Sequence, residues 1–206
     1  DPQTTWNGMA AALRGGLSAS LSGIAFWSHD IGGFRGTPSD ALYARWAQFG
    51  LLSSNARCHG TTPREPWAFG EEVLDLFRRY ARLRYSLLPY VYTYAEVAAR
   101  TGLPVVRPLV LEYQDDPATH RLDTQYLLGP DLLVAPVFEE AGTREVYLPD
   151  GEWVDFWTDE RHPGGRYVSV DAPLETMPMF VRAGSVIPRR EPTETVTAGT
   201  PEALTF

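Results

Sequence analysis

A parallel α/β unit followed by an all-β antiparallel sandwich is the fold class predicted by this 206-residue sequence, and three features carry the prediction. Up to residue 99, helical and strand-like signals alternate in the order helix, strand, helix, strand, helix, which implies a parallel sheet or barrel. Residues 24–27, Ile-Ala-Phe-Trp, carry no charge and no alternation, as suits a parallel strand covered on both faces. Beyond Gly102 the pattern changes to short apolar or alternating runs separated by turn residues, which describes an antiparallel sandwich. We therefore expect an α/β part over residues 1–103, a β-sandwich over 104–190, and a linker with the start of a further β unit over 191–206.

Each element has a local reason. Thr4 and Thr5 can cap a helix in which Trp6, Met9, Leu13, Leu17 and Leu21 recur at spacings of three and four. Gly15 and Gly16 each lower helix propensity by roughly 1 kcal/mol, so a close approach to a sheet is the expected reason for them. The strand of residues 24–27 then delivers Ser28, His29 and Asp30 to its carboxyl end, where barrel enzymes keep their active sites. If Asp30 points inward, the two-residue period turns Phe26 and Ser28 inward and sends Trp27 and His29 toward the helices. Thr37 as cap, Pro38 at the first position and Asp40 in the first turn begin a second helix, buried through Leu42, Trp46 and Phe49. A second buried strand over residues 55–59 carries Arg57, Cys58 and His59. The loop of residues 60–70 holds Trp67 and Phe69 where a cleft wall can form. Residues 71–99 give the longest helical signal, which Pro89 should kink or break and whose arginines read as a solvated face. Strand signals follow at residues 105–113, 126–128, 132–138, 145–148, 153–157, 167–170 and 179–187. Residues 203–206 begin another.

Composition narrows the function. With 44% hydrophobic and 12% aromatic residues the chain can bury a sizeable core. A net charge of -8, a pI near 5.0 and scattered arginines argue against a nucleic-acid partner. A single cysteine, Cys58, rules out an intrachain disulfide, and no apolar stretch approaches about eighteen residues. No membrane partner is expected, and a cytoplasmic location is the default. The start at Asp1, without an initiator methionine, leads us to expect a longer protein.

The sequence has no serine nucleophile elbow, phosphate-binding glycine loop or cysteine pair. The histidines, His29, His59, His120 and His162, lack ligand spacing, so no metal is expected. Cys58 and His59 do not form a thiol–imidazole pair, because neighbours on a strand point to opposite faces; Cys58 is expected to be packed. Carboxylates, His59 and many aromatics remain, the groups from which sugar sites are built. Two readings of His29-Asp30 stand side by side here, a ligand-facing carboxylate or a hydrogen-bonded structural pair above the turn made by Gly32-Gly33.

A resemblance goes further. The runs Leu13-Arg14-Gly15-Gly16-Leu17-Ser18, Gly23-Ile24-Ala25-Phe26-Trp27-Ser28-His29-Asp30-Ile31-Gly32-Gly33-Phe34 and Phe49-Gly50-Leu51-Leu52-Ser53-Ser54 resemble glycoside hydrolase family 31 and look most like its bacterial α-xylosidase branch. Gln125-Tyr126-Leu127-Leu128-Gly129 and Val134-Ala135-Pro136-Val137 extend the likeness, which reaches about residue 190. The resemblance implies the C-terminal part of a TIM (β/α)8 barrel, from the end of strand six to helix eight, followed by the sandwich. It also implies a retaining α-glycosidase that works with two aspartates and no cofactor. By position, Asp1 falls on the family's general acid/base, Asp30 on a substrate-binding aspartate, His59 on a histidine that contacts sugar hydroxyls, and Phe34 on an aromatic beside the same ring. The nucleophile belongs to strand four, outside this chain. The implied partners are an α-xyloside or, as the alternative, an α-glucoside, together with the N-terminal half of the same enzyme; a homo-oligomer is compatible with this. Lacking its nucleophile, the isolated chain is expected to be inactive. The alternative of another class is a noncatalytic sugar-binding or structural module.

Overall fold

The computed structural model describes residues 2–140, 142–196 and 203–206. Its helices are α1 (Trp6–Leu21), α2 (Asp40–Leu51), α3 (Glu71–Ser86), α4 (Leu88–Thr101) and the short α5 (Leu109–Glu112). Its strands are β1 (Val106–Arg107), β2 (Tyr126–Leu128), β3 (Leu132–Val134), β4 (Gly142–Leu148), β5 (Glu152–Asp155), β6 (Arg161–Pro163), β7 (Arg166–Ala172) and β8 (Met179–Arg182). The ladders are antiparallel and form a six-stranded sheet, β1-β2-β3-β8-β5-β6, and a ribbon of β4 and β7.

Helix α1 begins where expected, with the Thr5 hydroxyl accepting from the Gly8 amide at 3.0 Å. Its Met9, Leu13 and Leu17 are buried. Gly16 is needed because a Cβ there would lie 2.3 Å from the Trp27 indole, so the close neighbour is a side chain and not a sheet; nothing lies within 4 Å of a Cβ on Gly15. Helix α2 starts two residues later than predicted. Ser39, not Thr37, is its cap and accepts from the Leu42 amide. The long helical signal divides at Leu87, and Pro89 falls in the first turn of α4, where its missing N–H costs nothing. Arg84 departs from the expected solvated face: it donates to the carbonyls of Leu51 (2.9 Å), Ser53 (2.6 Å) and Ser54 (2.9 Å) just after α2.

The predicted parallel strands are only partly realised. Residues 24–29 are extended without a ladder, and a single parallel bridge joins Asp30 to Arg57. The Ser54 hydroxyl takes the place of a ladder carbonyl, accepting from the Trp27 amide and donating to the Trp27 carbonyl. Ile24 is 52% exposed and Phe26 43%, so no described element of this chain covers that face.

The apolar runs of the β part have a two-sided explanation. Tyr126, Leu128, Leu132, Val134 and Met179 face the helical core, while Leu127, Leu133 and Phe180, with Trp153, face Val146 and Leu148 of the β4–β7 ribbon. Strands buried on both faces need apolar residues at every position. Several strand expectations change in extent. The signal at 105–113 contains only β1, because Pro108 ends the strand and opens α5; β3 stops at Val134 and β8 at Arg182. The polar β6 was not expected at all.

Buried polar groups also join the two parts. Arg45 of α2 is 1% exposed and donates to the carbonyls of Ala172 (2.6 Å) and Thr176 (2.8 Å), while Gln48 donates to Leu174 (2.7 Å). The Tyr126 hydroxyl donates to the Leu52 carbonyl at 2.9 Å.

Candidate active site

The extended segment alternates as its period requires. Ile24, Phe26 and Ser28 lie on the open side, and Ala25, Trp27 and His29 turn toward the helices. The Trp27 indole donates to Ser20 Oγ at 2.9 Å. His29 is stacked on Phe49 with ring centroids 4.0 Å apart. Its Nδ1 accepts from the Trp46 indole at 2.9 Å, which leaves the proton on Nε2, 3.4 Å from Ser53 Oγ. Burial, helped by the positive charge of Arg57, lowers its pKa to about 3, so His29 is neutral and structural.

Asp30 stands at the end of this segment. Its carboxylate is 3% exposed and lies 2.7 Å from the Arg57 guanidinium, which is itself 56% exposed. The backbone then turns sharply. The Asp30 carbonyl accepts from the Gly33 amide, and Gly32 and Gly33 adopt φ +84 and +80, values that favour glycine. A Cβ on Gly33 would also meet Thr4 Oγ1 at 2.7 Å. This brings Phe34 against His59, with ring centroids 5.4 Å apart. Arg57 and His59 share a face by the two-residue period. Cys58, between them, turns its thiol to the Tyr43 hydroxyl at 3.6 Å, although the residue as a whole is exposed and not packed as expected.

Buried Arg64 ties the two site loops together. It donates to Gly33 O from Nε and Nη2 and to Gly36 O at 2.8 Å. In the loop that follows, Phe69 stacks on Tyr43 and borders a second cavity beside the start of α3, away from Asp30, while Trp67 is 69% exposed. An open cleft of about 810 Å³ lies between α1 and the extended segment, bordered by Pro2, Gly16, Trp27, Ser28, Asp30 and Arg57. Asp1 lies outside the described residues, but the carbonyl of Pro2 accepts from the Phe34 amide at 2.9 Å. Among the described residues no group of three or more His, Cys, Asp or Glu is placed to hold a metal ion, and no helix is long and apolar enough to cross a membrane.

Residues 1–94 match the family model of the glycosyl hydrolases family 31 TIM-barrel domain, and residues 102–187 that of the glycosyl hydrolase family 31 C-terminal domain. The chain belongs to glycoside hydrolase family 31. It is 44% identical over 198 residues to an alpha-xylosidase of Emericella nidulans, covering 91% of this chain and 25% of that protein. It is 41% identical over 191 residues to alpha-glucosidase 2 of Bacillus thermoamyloliquefaciens, covering 91% and 24%. A family 31 dextranase of Flavobacterium johnsoniae, solved with glucose, superposes with a TM-score of 0.89 at 42% identity, covering 94% of this chain and 25% of that one. The chain thus spans about a quarter of the length of the relatives it matches. As part of a family 31 barrel, the Phe26–Ser28 side is the lumen side, because the other side carries the helices. Asp30 is then at the carboxyl end of a barrel strand, beside Arg57. Sequence reasoning placed Arg57 on the segment of His59 without giving it a site role and passed over Arg64; shared parity with His59 was the one local signal for Arg57.

Proposed function

We propose that the whole protein is a retaining α-glycoside hydrolase releasing α-linked xylose from non-reducing ends, with α-linked glucose as the alternative. The observation that carries this reading is the pair Phe34–His59 beside the pair Asp30–Arg57 at the end of a family 31 barrel segment. Phe34 offers an aromatic face to the apolar side of a sugar ring, and His59 meets its hydroxyls. The Asp30–Arg57 pair completes the substrate-binding end. Asp1 protonates the leaving oxygen and then takes a proton from water, and a carboxylate outside this chain is the nucleophile. A carboxylic acid needs a raised pKa for that role. The xylose preference rests on relatives named alpha-xylosidase, such as those of Emericella nidulans (44% identical) and Saccharolobus solfataricus (42%).

The test uses the whole protein with p-nitrophenyl α-xyloside and α-glucoside. A higher kcat/KM on the xyloside is expected, and a higher value on the glucoside reverses the preference. Asp1→Ala should keep activity on these activated substrates far better than on natural ones, and equal loss on both removes the acid role. The isolated 206 residues should turn over neither substrate.

A further inference from the structure

The Asp30–Arg57 pair is asymmetric in a way that its expected role does not explain. Both residues border the open cleft, but the carboxylate, expected to hold the sugar, is 3% exposed, whereas the guanidinium paired with it is 56% exposed. Asp30 Oδ1 is buried and, among the described residues, has the 2.7 Å ion pair to Arg57 as its only polar contact. The parallel bridge between the two residues sets both side chains on the same face, with Asp30 underneath. A guanidinium carries five N–H donors in a rigid fork, and contact with one carboxylate oxygen leaves most of them for other acceptors.

We infer that Arg57 is the member of the pair that faces the sugar, donating to ring hydroxyls, and that Asp30 is a positioning residue that holds the guanidinium and cancels its charge. The inference rests on the glycosidase reading and deepens it. Charge cancellation matters because glycoside cleavage passes through an oxocarbenium-like, positively charged transition state, which a lone neighbouring cation opposes. Paired with a buried carboxylate, Arg57 supplies hydrogen bonds with its own charge offset.

The test is a double-mutant cycle in the whole protein on p-nitrophenyl α-xyloside. D30N leaves Arg57 uncompensated and should lower kcat about tenfold or more with little change in KM. R57M removes the donors and should raise KM. Because both substitutions break one unit, D30N/R57M should be no worse than the poorer single variant, and its kcat should recover above that of D30N. Losses that multiply in the double variant would show that each residue meets the sugar independently and overturn the inference. So would an R57M variant with the kinetics of the parent. If D30N does not fold, R57M and R57Q decide at the exposed position: unchanged kcat/KM in both overturns it. A parent without α-glycosidase activity refutes the proposed function instead, and the cycle is then read by calorimetric xylose binding, with the same non-additivity expected and additivity again fatal.

Discussion

His29 sits next to the candidate site, yet each of its ring nitrogens has a partner in the core, Trp46 on one side and Ser53 on the other. Its folded pKa is lowered to about 3 from the ordinary 6.5, chiefly by burial. Between those values the unfolded chain binds a proton that the folded one refuses, so stability is full above about pH 6.5 and falls as pH is lowered toward 3. By about pH 4.5 the loss from this group amounts to roughly 2–3 kcal/mol. Urea unfolding of parent and His29→Gln at about pH 7.5 and 4.5 should show the parent losing that much more than the variant. Parallel losses would mean that His29 is protonated in the fold. Of the two readings open for His29-Asp30 in the sequence, His29 takes the structural one, while Asp30 belongs to the ion pair at the cleft.

At the scale of elements, two arginines of α3 separate surface charge from structure. Arg78 pairs with Asp75 one turn away, both side chains well exposed, and water and entropy leave such a pair worth little. Arg84 instead closes the C-terminal end of α2 through three carbonyls, where cationic groups also meet the helix dipole favourably. Arg84→Met should cost about 2 kcal/mol, in the range of hydrogen bonds to charged groups, and Arg78→Met under about 0.5 kcal/mol. Denaturant midpoints of the two variants check this, and equal effects would refute the distinction. Periodicity located both arginines on one helix. It could not distinguish them, because the carbonyls that Arg84 meets come from residues 51–54, more than seven turns' worth of sequence away.

At the scale of the molecule, the helical part and the β part share one apolar core, into which Tyr126 and Met179 reach from the sheet and Phe49 and Leu52 from α2 and its end. Arg45 crosses the same boundary. Burial lowers its pKa, and its Nη1 and Nη2 donate to carbonyls of Thr176 and Ala172, while its Nε is buried without a hydrogen-bond partner among the described residues. Arg45→Met preserves much of the volume but strands those carbonyls, so a loss of about 3 kcal/mol is expected from chemical denaturation. A loss under about 1 kcal/mol would show that Arg45 adds little to what already joins the two parts.

By itself the sequence determined the family, the order of helical and β parts, the starts of α1 and α3, the break near Pro89 and the two-residue parity that puts His29 behind Asp30. These are properties of local period, capping and motif, each legible within one stretch of chain. Tertiary structure decided the rest. Pro108 turned a predicted strand into β1 and α5, and polar β6 formed because β5 offered it an edge. Arg45, Arg64 and Arg84 became structural through carbonyls far away in sequence, for which local patterns carry no signal. The pairing of buried Asp30 with exposed Arg57 arose in the same way, from two segments meeting, since which member of an ion pair is covered depends on what folds over it.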